Sequence, residues 1–157
     1  MFGLRTEIAF LCRERRSNMT AVWRKSPQDF RDALNIRETV FVKEQGFANE
    51  FDETDKTCDH LILYDGEKAV GCARIFPDGE AGWHIGRVAV LPEYRGKGLG
   101  ARLLCEAEKR VLELGGKMLC LSAQMQAEGF YKKLGYRTVS EPYLDEHCPH
   151  VRMEKIL

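Results

Sequence analysis

The sequence has no excess of charge of either sign and no long apolar run near its start. Its 157 residues carry 24 lysines and arginines against 24 aspartates and glutamates, so the formal net charge is zero. Nucleic-acid-binding proteins normally show a basic excess, and this class is therefore not expected. The longest apolar run within residues 2–12 extends from Ile8 to Cys12, which is too short for the core of a signal peptide or for a membrane span. We expect neither nucleic acid nor membrane as a partner.

Cysteine pairs with the spacing of metal or redox motifs are also lacking. Six cysteines are present, and no two of them form a Cys-x-x-Cys pair. The segments Cys58-Asp-His60 and Cys148-Pro-His150 could each supply half of a metal site, but such short combinations in loops are more often coincidental. The sequence therefore predicts no metal centre and a reducing, cytoplasmic setting.

The length and the composition fit a single folded domain. Apolar residues make up 44% of the chain and charged residues 31%, as in soluble globular proteins. Residues 1–18 are interpreted as an N-terminal extension, because Met19 could serve as the start of everything that follows. We expect this extension to be a flexible arm, with a helix that packs on a partner chain as the alternative. The domain itself is predicted to span residues 19–157.

The segment 87–100, which reads RVAVLPEYRGKGLG, carries the most informative pattern. Val88–Val90 predicts a strand, Pro92 ends it, and a glycine-rich turn over Arg95–Gly100 leads into an amphipathic helix. The first amides of a helix have no partner within it, and the helix dipole makes this end positive. Glycines allow a ligand to approach the backbone closely. The segment therefore predicts a site for a pyrophosphate.

The glycine spacing alone leaves an alternative open. Gly96, Gly98 and Gly100 recur at every second residue, which matches neither the Gly-x-Gly-x-x-Gly of dinucleotide-binding folds nor a Walker A loop. A plain strand-to-helix turn with capping glycines would give the same spacing.

The other patterns predict an α/β domain with the order β-α-α-β-β-β-α-β-α-β-β. Ser26 is predicted to cap the first helix, with Pro27 in its first turn, and the acidic segment 47–58 is predicted to be an exposed loop. Alternation and apolar runs predict strands, and helical spacing predicts helices. The strands are expected at 20–25, 60–64, 69–76, 84–90, 117–122, 137–140 and 150–156, and the helices at 26–37, 38–45, 99–114 and 127–134.

Two separate motifs and this order of elements resemble the GNAT superfamily of N-acetyltransferases over residues 20–157. The first motif is the turn at Arg95–Gly100, and the second is Gln124-x-x-Ala127-x-x-Phe130-Tyr131-x-x-x-Gly135-Tyr136. A narrower likeness to the ElaA/YjcF-like group rests on Leu34-x-x-Arg37-x-x-Val40-Phe41-Val42-x-Glu44-Gln45 and on Pro149-His150-x-x-Met153. The resemblance implies a GNAT-type acyl-CoA N-acyltransferase fold, in which helices flank a mixed, mostly antiparallel central sheet.

The resemblance further implies transfer of an acetyl group from acetyl-CoA to a primary amine by direct attack in a ternary complex. A small-molecule amine is the favoured acceptor. The alternatives are acetylation of a protein lysine or N-terminus, and a sensor that binds acyl-CoA without catalysis. Gln124 stands where the family carries asparagine. The residues implied to bind the acyl-CoA are Val88, Ala89, Val90, Arg95, Gly96, Lys97, Gly98, Leu99, Gly100, Gln124 and Tyr131.

Three side chains are the leading candidates for catalysis, and His60 and His150 are further candidate bases. Tyr131 occupies the position of the family's general acid, which protonates the leaving thiolate, although a tyrosine on a helical stripe is often only a core residue. His84 matches the strand position of a base in histone-acetylating members, and counting alternate residues places it on the face of Val88 and Val90. Glu44 ends the second helix and is the other candidate base. Bulk water could replace either one.

Two further expectations concern the surface. The carboxylates of segment 47–58 could attract a cationic amine through their long-range field, although such segments are usually just solvated. A homodimer through the last strands is the expected oligomer.

Overall fold

The computed structural model describes residues 19–157 and shows a single mixed sheet of eight strands with helices on both faces. The predicted extension at residues 1–18 lies outside the described residues. The strands are β1 (Met19–Lys25), β2 (Asp59–Asp65), β3 (Lys68–Pro77), β4 (Gly82–Val90), β5 (Met118–Gln124), β6 (Arg137–Thr138), β7 (Tyr143–Asp145) and β8 (Cys148–Ile156). The helices are α1 (Arg31–Arg37), a π-helix (Glu38–Glu44), α2 (Leu99–Glu113) and α3 (Glu128–Lys133). Short 3-10 turns lie at Glu53–Lys56, Pro92–Tyr94 and Met125–Ala127.

The sheet confirms the predicted fold class. Its strand order is β1-β2-β3-β4-β5-β8-β6, and β7 pairs with the same edge of β8 as β6 does. All of these pairings are antiparallel except that of β4 with β5, which is parallel. The sequence predicts seven of the strands. It misses β7, which has three exposed residues and no apolar alternation to reveal it.

The first helix begins later than the sequence predicts. The amide of Gln28 donates to the Lys25 carbonyl at 2.7 Å and closes a turn, so Ser26 and Pro27 belong to the turn and Ser26 is not the helix cap. The Asp29 carboxylate accepts from the Arg31 amide at 3.0 Å, immediately before α1. Side-chain to backbone bonds of this kind compete with the helical ladder.

Two apolar layers hold the helices against the sheet. On the first face, α2 buries Leu103, Leu104 and Val111 against the central strands. On the second face, α1 and the π-helix bury Ile36 and Val40 against β2, β3 and β4. We refer below to the first face as the α2 face and to the second as the α1 face. No helix in the described part of the chain is both long and apolar enough to cross a bilayer.

A bulge in β4 changes which side chains share a face. Cys72 of β3 pairs with Ala89, whereas Arg74 pairs with Gly86, so β4 carries one residue more than β3 between these pairs. Arg87 lies in this extra stretch with φ +54°. A bulge of this kind leaves the extra residue unpaired and increases the local twist.

The bulge makes the predicted orientation of His84 wrong. Trp83 and Ile85 pack in the same core as Val88 and Val90, on the α2 face. Alternation along β4 is therefore interrupted at Arg87, and His84 lies on the α1 face instead of sharing the face of Val88 and Val90. Counting alternate residues fails because a bulge shifts the period-2 pattern by one position.

Candidate active site

A fork between β4 and β5 forms the candidate active site. The two strands pair only from Gly82 with Met118 to His84 with Cys120, and beyond these residues they diverge. A cavity of about 370 Å³ lies in the gap. The edge of β4 that faces the gap has no strand partner beyond His84, so its backbone polar groups are available to a ligand. The walls come from β4, β5, β8, the π-helix and α3.

The glycine-rich turn begins at one end of this cavity, where Arg95 belongs to the lining, and has free amides in the residues that follow. Gly96 and Gly98 have φ angles of +75° and +78°, and a Cβ atom at either position would have no heavy atom within 4 Å. Within residues 19–157, no carbonyl or side chain accepts from the amides of residues 96–98. Gly98 directly precedes α2, so the turn and the positive end of the helix dipole coincide. This open, donor-rich turn fits the pyrophosphate that the sequence predicts here.

The two cations of the turn already have partners. The Arg95 guanidinium donates to both carboxylate oxygens of Glu44, at 2.6 and 2.9 Å, and to the Val90 carbonyl at 3.0 Å. Lys97 places its Nζ 4.8 Å from the centre of the Tyr94 ring. Arg95 and Glu44 are both partly exposed, so an anion at the turn can exchange places with the Glu44 carboxylate.

The other predicted ligands of the turn and the strand contribute backbone rather than side chains. Leu99 is buried in the core of the α2 face, so only its amide can face a ligand. A Cβ atom on Gly100 would lie 3.1 Å from Cζ of Phe130, which makes this glycine a packing requirement between α2 and α3. Val88 and Val90 pack on the α2 face, and Ala89 is buried on the α1 face.

Tyr131 lies on the wall that α3 contributes. Its ring packs edge-on against Phe130 and Tyr136, with ring centres at 5.0 and 6.0 Å. Its hydroxyl has no hydrogen-bond partner among the described residues, yet it is not sealed from solvent. Burial raises the pKa of Tyr131 to about 12. The side chain therefore keeps its proton at neutral pH and directs an unused donor into the cavity.

Gln124 bridges the mouth of the fork. Its Nε2 donates to Oε1 of Gln45 at 2.7 Å, and its Oε1 accepts from Gln126 at 2.6 Å. These bonds connect the end of β5 with the segment that follows the π-helix. The role of Gln45 was not predicted, because nothing in the local sequence pairs it with a residue 79 positions away.

His84 lies at the point where the fork begins, on the α1 face. It stacks on Phe76 with ring centres 4.9 Å apart. Its Nδ1 faces Cys120 Sγ at 3.6 Å and Asp78 at 3.9 Å. Burial lowers the pKa of His84 to about 4, so the ring is neutral at physiological pH.

The candidate base Glu44 is held by Arg95. The hydrogen bonds from Arg95 lower the pKa of Glu44, which makes the carboxylate a poorer proton acceptor. His150, at the opposite wall, is buried, and its Nδ1 lies 2.8 Å from the Cys148 carbonyl. Because a carbonyl can only accept, Nδ1 carries the proton and Nε2 is the acceptor nitrogen. His60 does not line the cavity and instead stacks on Phe30 at 4.0 Å.

The acidic segment 47–58 differs from the prediction of a solvated loop. Glu50 and Asp55 are buried and contact Arg37 at 2.8 and 2.7 Å. Arg74 contacts Asp55 at 2.8 Å, and Arg87 contacts Glu50 at 2.9 Å. We call these five residues the buried ion network. Its carboxylates are neutralised by arginines and cannot supply the predicted attractive field.

Comparisons with known proteins agree with this geometry. A family model described as an acetyltransferase (GNAT) domain matches residues 26–157. The uncharacterized N-acetyltransferase YjcF of Bacillus subtilis is 40% identical over 141 residues, which cover 87% of this chain and 99% of that protein.

Solved structures show the same fold. Escherichia coli ElaA superposes with a TM-score of 0.75 at 26% identity and covers 87% of this chain and 99% of its own. A GNAT family acetyltransferase from Elizabethkingia anophelis, solved with acetyl-CoA bound, superposes with a TM-score of 0.71 at 15% identity, over 90% of this chain and all of its own. The chain therefore belongs to the GNAT superfamily of N-acetyltransferases, within the ElaA/YjcF-like group, and is an acyltransferase.

Proposed function

We propose that the protein binds acetyl-CoA in the fork between β4 and β5 and transfers the acetyl group to a small-molecule primary amine by direct attack. One observation carries the proposal: a single cavity extends from Arg95, which directly precedes the free amides of residues 96–98, to Tyr131 with its unpaired hydroxyl. The first feature suits the pyrophosphate of the substrate, and the second suits its leaving group. A cytoplasmic location, where acetyl-CoA is available, is part of the proposal.

The turn and the strand bind the acetyl-CoA in this proposal. The amides of Gly96, Lys97 and Gly98, with the N-terminus of α2, hold the pyrophosphate. Arg95 releases Glu44 and pairs with a phosphate oxygen. The free edge of Val88–Val90 offers backbone groups to the pantetheine and to the oxygen of the thioester. An amide that donates to the developing oxyanion contributes about 10²–10³ in rate.

Tyr131 acts as the general acid. As the amine nitrogen bonds to the acetyl carbon, the carbon–sulfur bond breaks and the sulfur leaves with its electron pair. The Tyr131 hydroxyl supplies the proton that converts the thiolate to a thiol. Its raised pKa keeps the hydroxyl protonated at neutral pH, so that a proton is present when the thiolate forms. General acid help of this kind is worth about 10²–10⁴ in rate.

The acceptor amine must lose its proton before it attacks, because a lysine-like amine has a pKa of about 10.4. We place His84 ahead of Glu44 as the group that receives this proton, directly or through water. His84 borders the cavity on the α1 face and is not engaged by an arginine of the described residues, whereas Glu44 is held by Arg95. Because burial lowers the pKa of His84 to about 4, the imidazole must pass the proton on to water and does not retain it. His150 places a second imidazole on the opposite wall of the cavity.

The acceptor would bind between the segment after the π-helix and the β7–β8 turn, and the shape and charge there support a small cationic amine. The Glu146 carboxylate accepts from the amides of Ala48 and Asn49 at 2.8 and 3.1 Å, so the segment after the π-helix is tied to the β7–β8 turn. These contacts narrow the entrance through which the acceptor amine would reach the cavity. Asp145 lines the cavity and has no ion-pair partner among the described residues, and its carboxylate would attract an ammonium group.

A homodimer through the last strands is also part of the proposal. Leu144 of β7 and Ile156 of β8 are 71% and 73% exposed, and a second copy would cover them. Light scattering of the purified chain measures this directly, and a monomer at all concentrations would contradict it.

Calorimetric titration with acetyl-CoA tests the proposed function. The wild type is expected to bind with micromolar affinity, and Gly98→Glu to lose binding, because the new side chain adds bulk and negative charge to the turn. Gly115→Glu is the matched control: this glycine also has a positive φ and open space around it, but it follows the opposite end of α2. Absence of binding by the wild type, or equal loss in both variants, would overturn the proposal.

A further inference from the structure

Three potential metal ligands meet beside the fork on the α1 face. They are the Asp78 carboxylate, His84 Nδ1 and Cys120 Sγ, which come from the β3–β4 turn, β4 and β5. The Cys120 Sγ atom lies 3.1 Å from Asp78 Oδ2 and 3.6 Å from His84 Nδ1, and His84 Nδ1 lies 3.9 Å from Asp78 Oδ2. The Cys120 thiol is free.

These separations match the edges of a tetrahedral zinc site. Zinc binds sulfur at about 2.3 Å and nitrogen or carboxylate oxygen at about 2.0–2.2 Å, so tetrahedral angles place the ligand atoms about 3.4–3.6 Å apart. The observed edges lie within roughly half an ångström of these values, which small rotations of the side chains can absorb. One ligand each of sulfur, nitrogen and oxygen is also a set that suits zinc rather than magnesium or calcium.

We propose that Asp78, His84 and Cys120 bind a zinc ion with a fourth position open to solvent. The Asp78 side chain is 37% exposed and His84 18% exposed, so the ion can enter from the α1 face. Binding forms the zinc–sulfur bond and releases the thiol proton of Cys120 to the buffer. Phe76 stacks on the imidazole and fixes its orientation.

Arg152 occupies the position of the cation in the metal-free protein. Its Nη2 lies 3.0 Å from Asp78 Oδ2 and 3.2 Å from Cys120 Sγ. The Arg152 side chain is 43% exposed, so it can turn towards solvent when zinc binds. Because the guanidinium competes for the same two ligand atoms, its removal should strengthen zinc binding.

Zinc at this position would change the chemistry of the neighbouring imidazole. The Cδ2–Nε2 edge of His84 points along β4 towards Gly86, away from the three-ligand cluster. With zinc on Nδ1, the ring proton is confined to Nε2, which then donates and cannot accept a proton. If His84 receives the proton of the amine, zinc will inhibit acetyl transfer. This consequence rests on the proposed function, whereas the binding of zinc does not.

The chain provides a matched cluster that should not bind the ion. Asp55, Cys58 and His60 also lie close together, but Arg37 and Arg74 occupy both carboxylate oxygens of Asp55 at 2.7–3.1 Å. All three residues are buried. Cys58→Ala therefore controls for a thiol in a similar environment without an available carboxylate.

The test is titration of the full-length, chelator-treated chain with zinc chloride and with cobalt(II). We expect one zinc per chain, and a near-ultraviolet charge-transfer band with cobalt, which reports a thiolate ligand. Cys120→Ala should abolish both, Asp78→Asn should weaken binding by at least about 10-fold, and Cys58→Ala should change neither. Arg152→Gln should tighten binding several-fold.

Each outcome decides the proposal. Failure of the wild type to bind, a missing cobalt–thiolate band, or unchanged binding in Cys120→Ala would overturn it. Should Cys120→Ala fold poorly, the partly exposed Asp78→Asn variant answers the same question, and unchanged affinity there also contradicts the site. Inhibition of acetyl transfer by zinc, reversed by a chelator, is a separate readout. A protein that binds zinc but transfers no acetyl group would remove the proposed function and leave the metal site standing.

Discussion

Among single residues, Tyr131 gives the clearest separation between binding and chemistry. Tyr131→Phe removes only the unpaired hydroxyl, so we expect the turnover rate to fall by about 10²–10⁴ while the affinity for acetyl-CoA stays the same. Steady-state kinetics and calorimetry measure the two quantities. Tyr136→Phe is the control, because the Tyr136 hydroxyl donates to Glu108 at 3.0 Å and its loss should cost about 1 kcal/mol of stability without a change in rate. Equal turnover rates in all three proteins would show that the Tyr131 hydroxyl is not the general acid, whereas binding of acetyl-CoA with no turnover in any of them would favour the acyl-CoA sensor.

The Glu44–Arg95 pair makes a second residue-level prediction. Glu44 competes with the phosphates for Arg95, and exposed ion pairs are worth about 0.2–1 kcal/mol. Glu44→Gln should therefore raise the affinity for acetyl-CoA by up to about fivefold, as measured by calorimetry at low salt. Glu93→Gln is the control, since Glu93 forms its ion pair with Lys68 at 3.2 Å and interacts with Arg95 only at longer range. A loss of affinity in Glu44→Gln would show that the carboxylate helps the turn instead of competing with the ligand.

Sequence reasoning at this scale succeeds where a motif fixes the backbone. The turn at Gly96 and Gly98 and the cavity position of Tyr131 follow from local patterns. The partners of Glu44 and Gln124 do not, because each contact joins residues that are far apart in the chain. Long-range pairs of this kind depend on the tertiary fold, and a single sequence contains no local pattern that encodes them.

At the scale of elements, the closed end of the fork depends on a close contact between β4 and the loop before β5. A Cβ atom on Gly116 would lie 2.5 Å from Cδ1 of Trp83 and 2.5 Å from Cγ1 of Val111. Gly116→Ala should therefore lower the free energy of unfolding by about 1–3 kcal/mol, as measured by urea denaturation. In a double-mutant cycle, Trp83→Leu should recover part of this loss. If the effects of Gly116→Ala and Trp83→Leu on the free energy of unfolding are additive, the Trp83 ring does not limit the space at Gly116.

Element boundaries separate what the sequence reveals from what it does not. The predicted β4, α2 and β5 are confirmed because their apolar periodicity is strong. The start of α1 was misplaced because the local bonds at Gln28 and Asp29 favour a turn over a helix cap. The bulge at Arg87 was missed because positive φ at an arginine has no sequence signature, unlike positive φ at a glycine.

Across the whole molecule, the buried ion network connects α1, the acidic segment and the central strands. Arg37 and Arg74 hold the pKa of Asp55 at about 2, below the ordinary value of 3.8, despite burial, which acts in the opposite direction. A carboxyl group whose pKa is lower in the folded than in the unfolded protein stabilises the fold when the pH is above its unfolded pKa. This stability disappears as the pH falls from about 4 to about 2. Asp55 therefore stabilises the fold at neutral pH and loses this contribution in acid, whereas burial raises the pKa of Glu50 in the same network and acts in the opposite direction.

Asp55→Asn tests this contribution. At neutral pH the variant should lose about 1.5–3 kcal/mol, because Arg37 and Arg74 lose a charged acceptor while each keeps one other carboxylate, Glu50 and Asp52 respectively. The difference from the wild type should shrink as the pH falls below about 4, which urea denaturation at several pH values measures. Glu53→Gln, in the same 3-10 turn, is the control: its pair with Lys56 is exposed, so the change should be below about 1 kcal/mol at every pH. A stability difference between Asp55→Asn and the wild type that does not vary with pH would contradict the lowered pKa of Asp55.

The extra residue in β4 also affects how this chain can be compared with its relatives. A relative that lacked one residue at Arg87 could keep Val88–Val90 beside the cavity while every upstream side chain changed sides. The imidazole of His84 would then enter the core of the α2 face, and Ile85 would take its place beside Phe76. Residue roles along β4 can therefore be transferred between family members only when positions are counted separately on the two sides of the bulge.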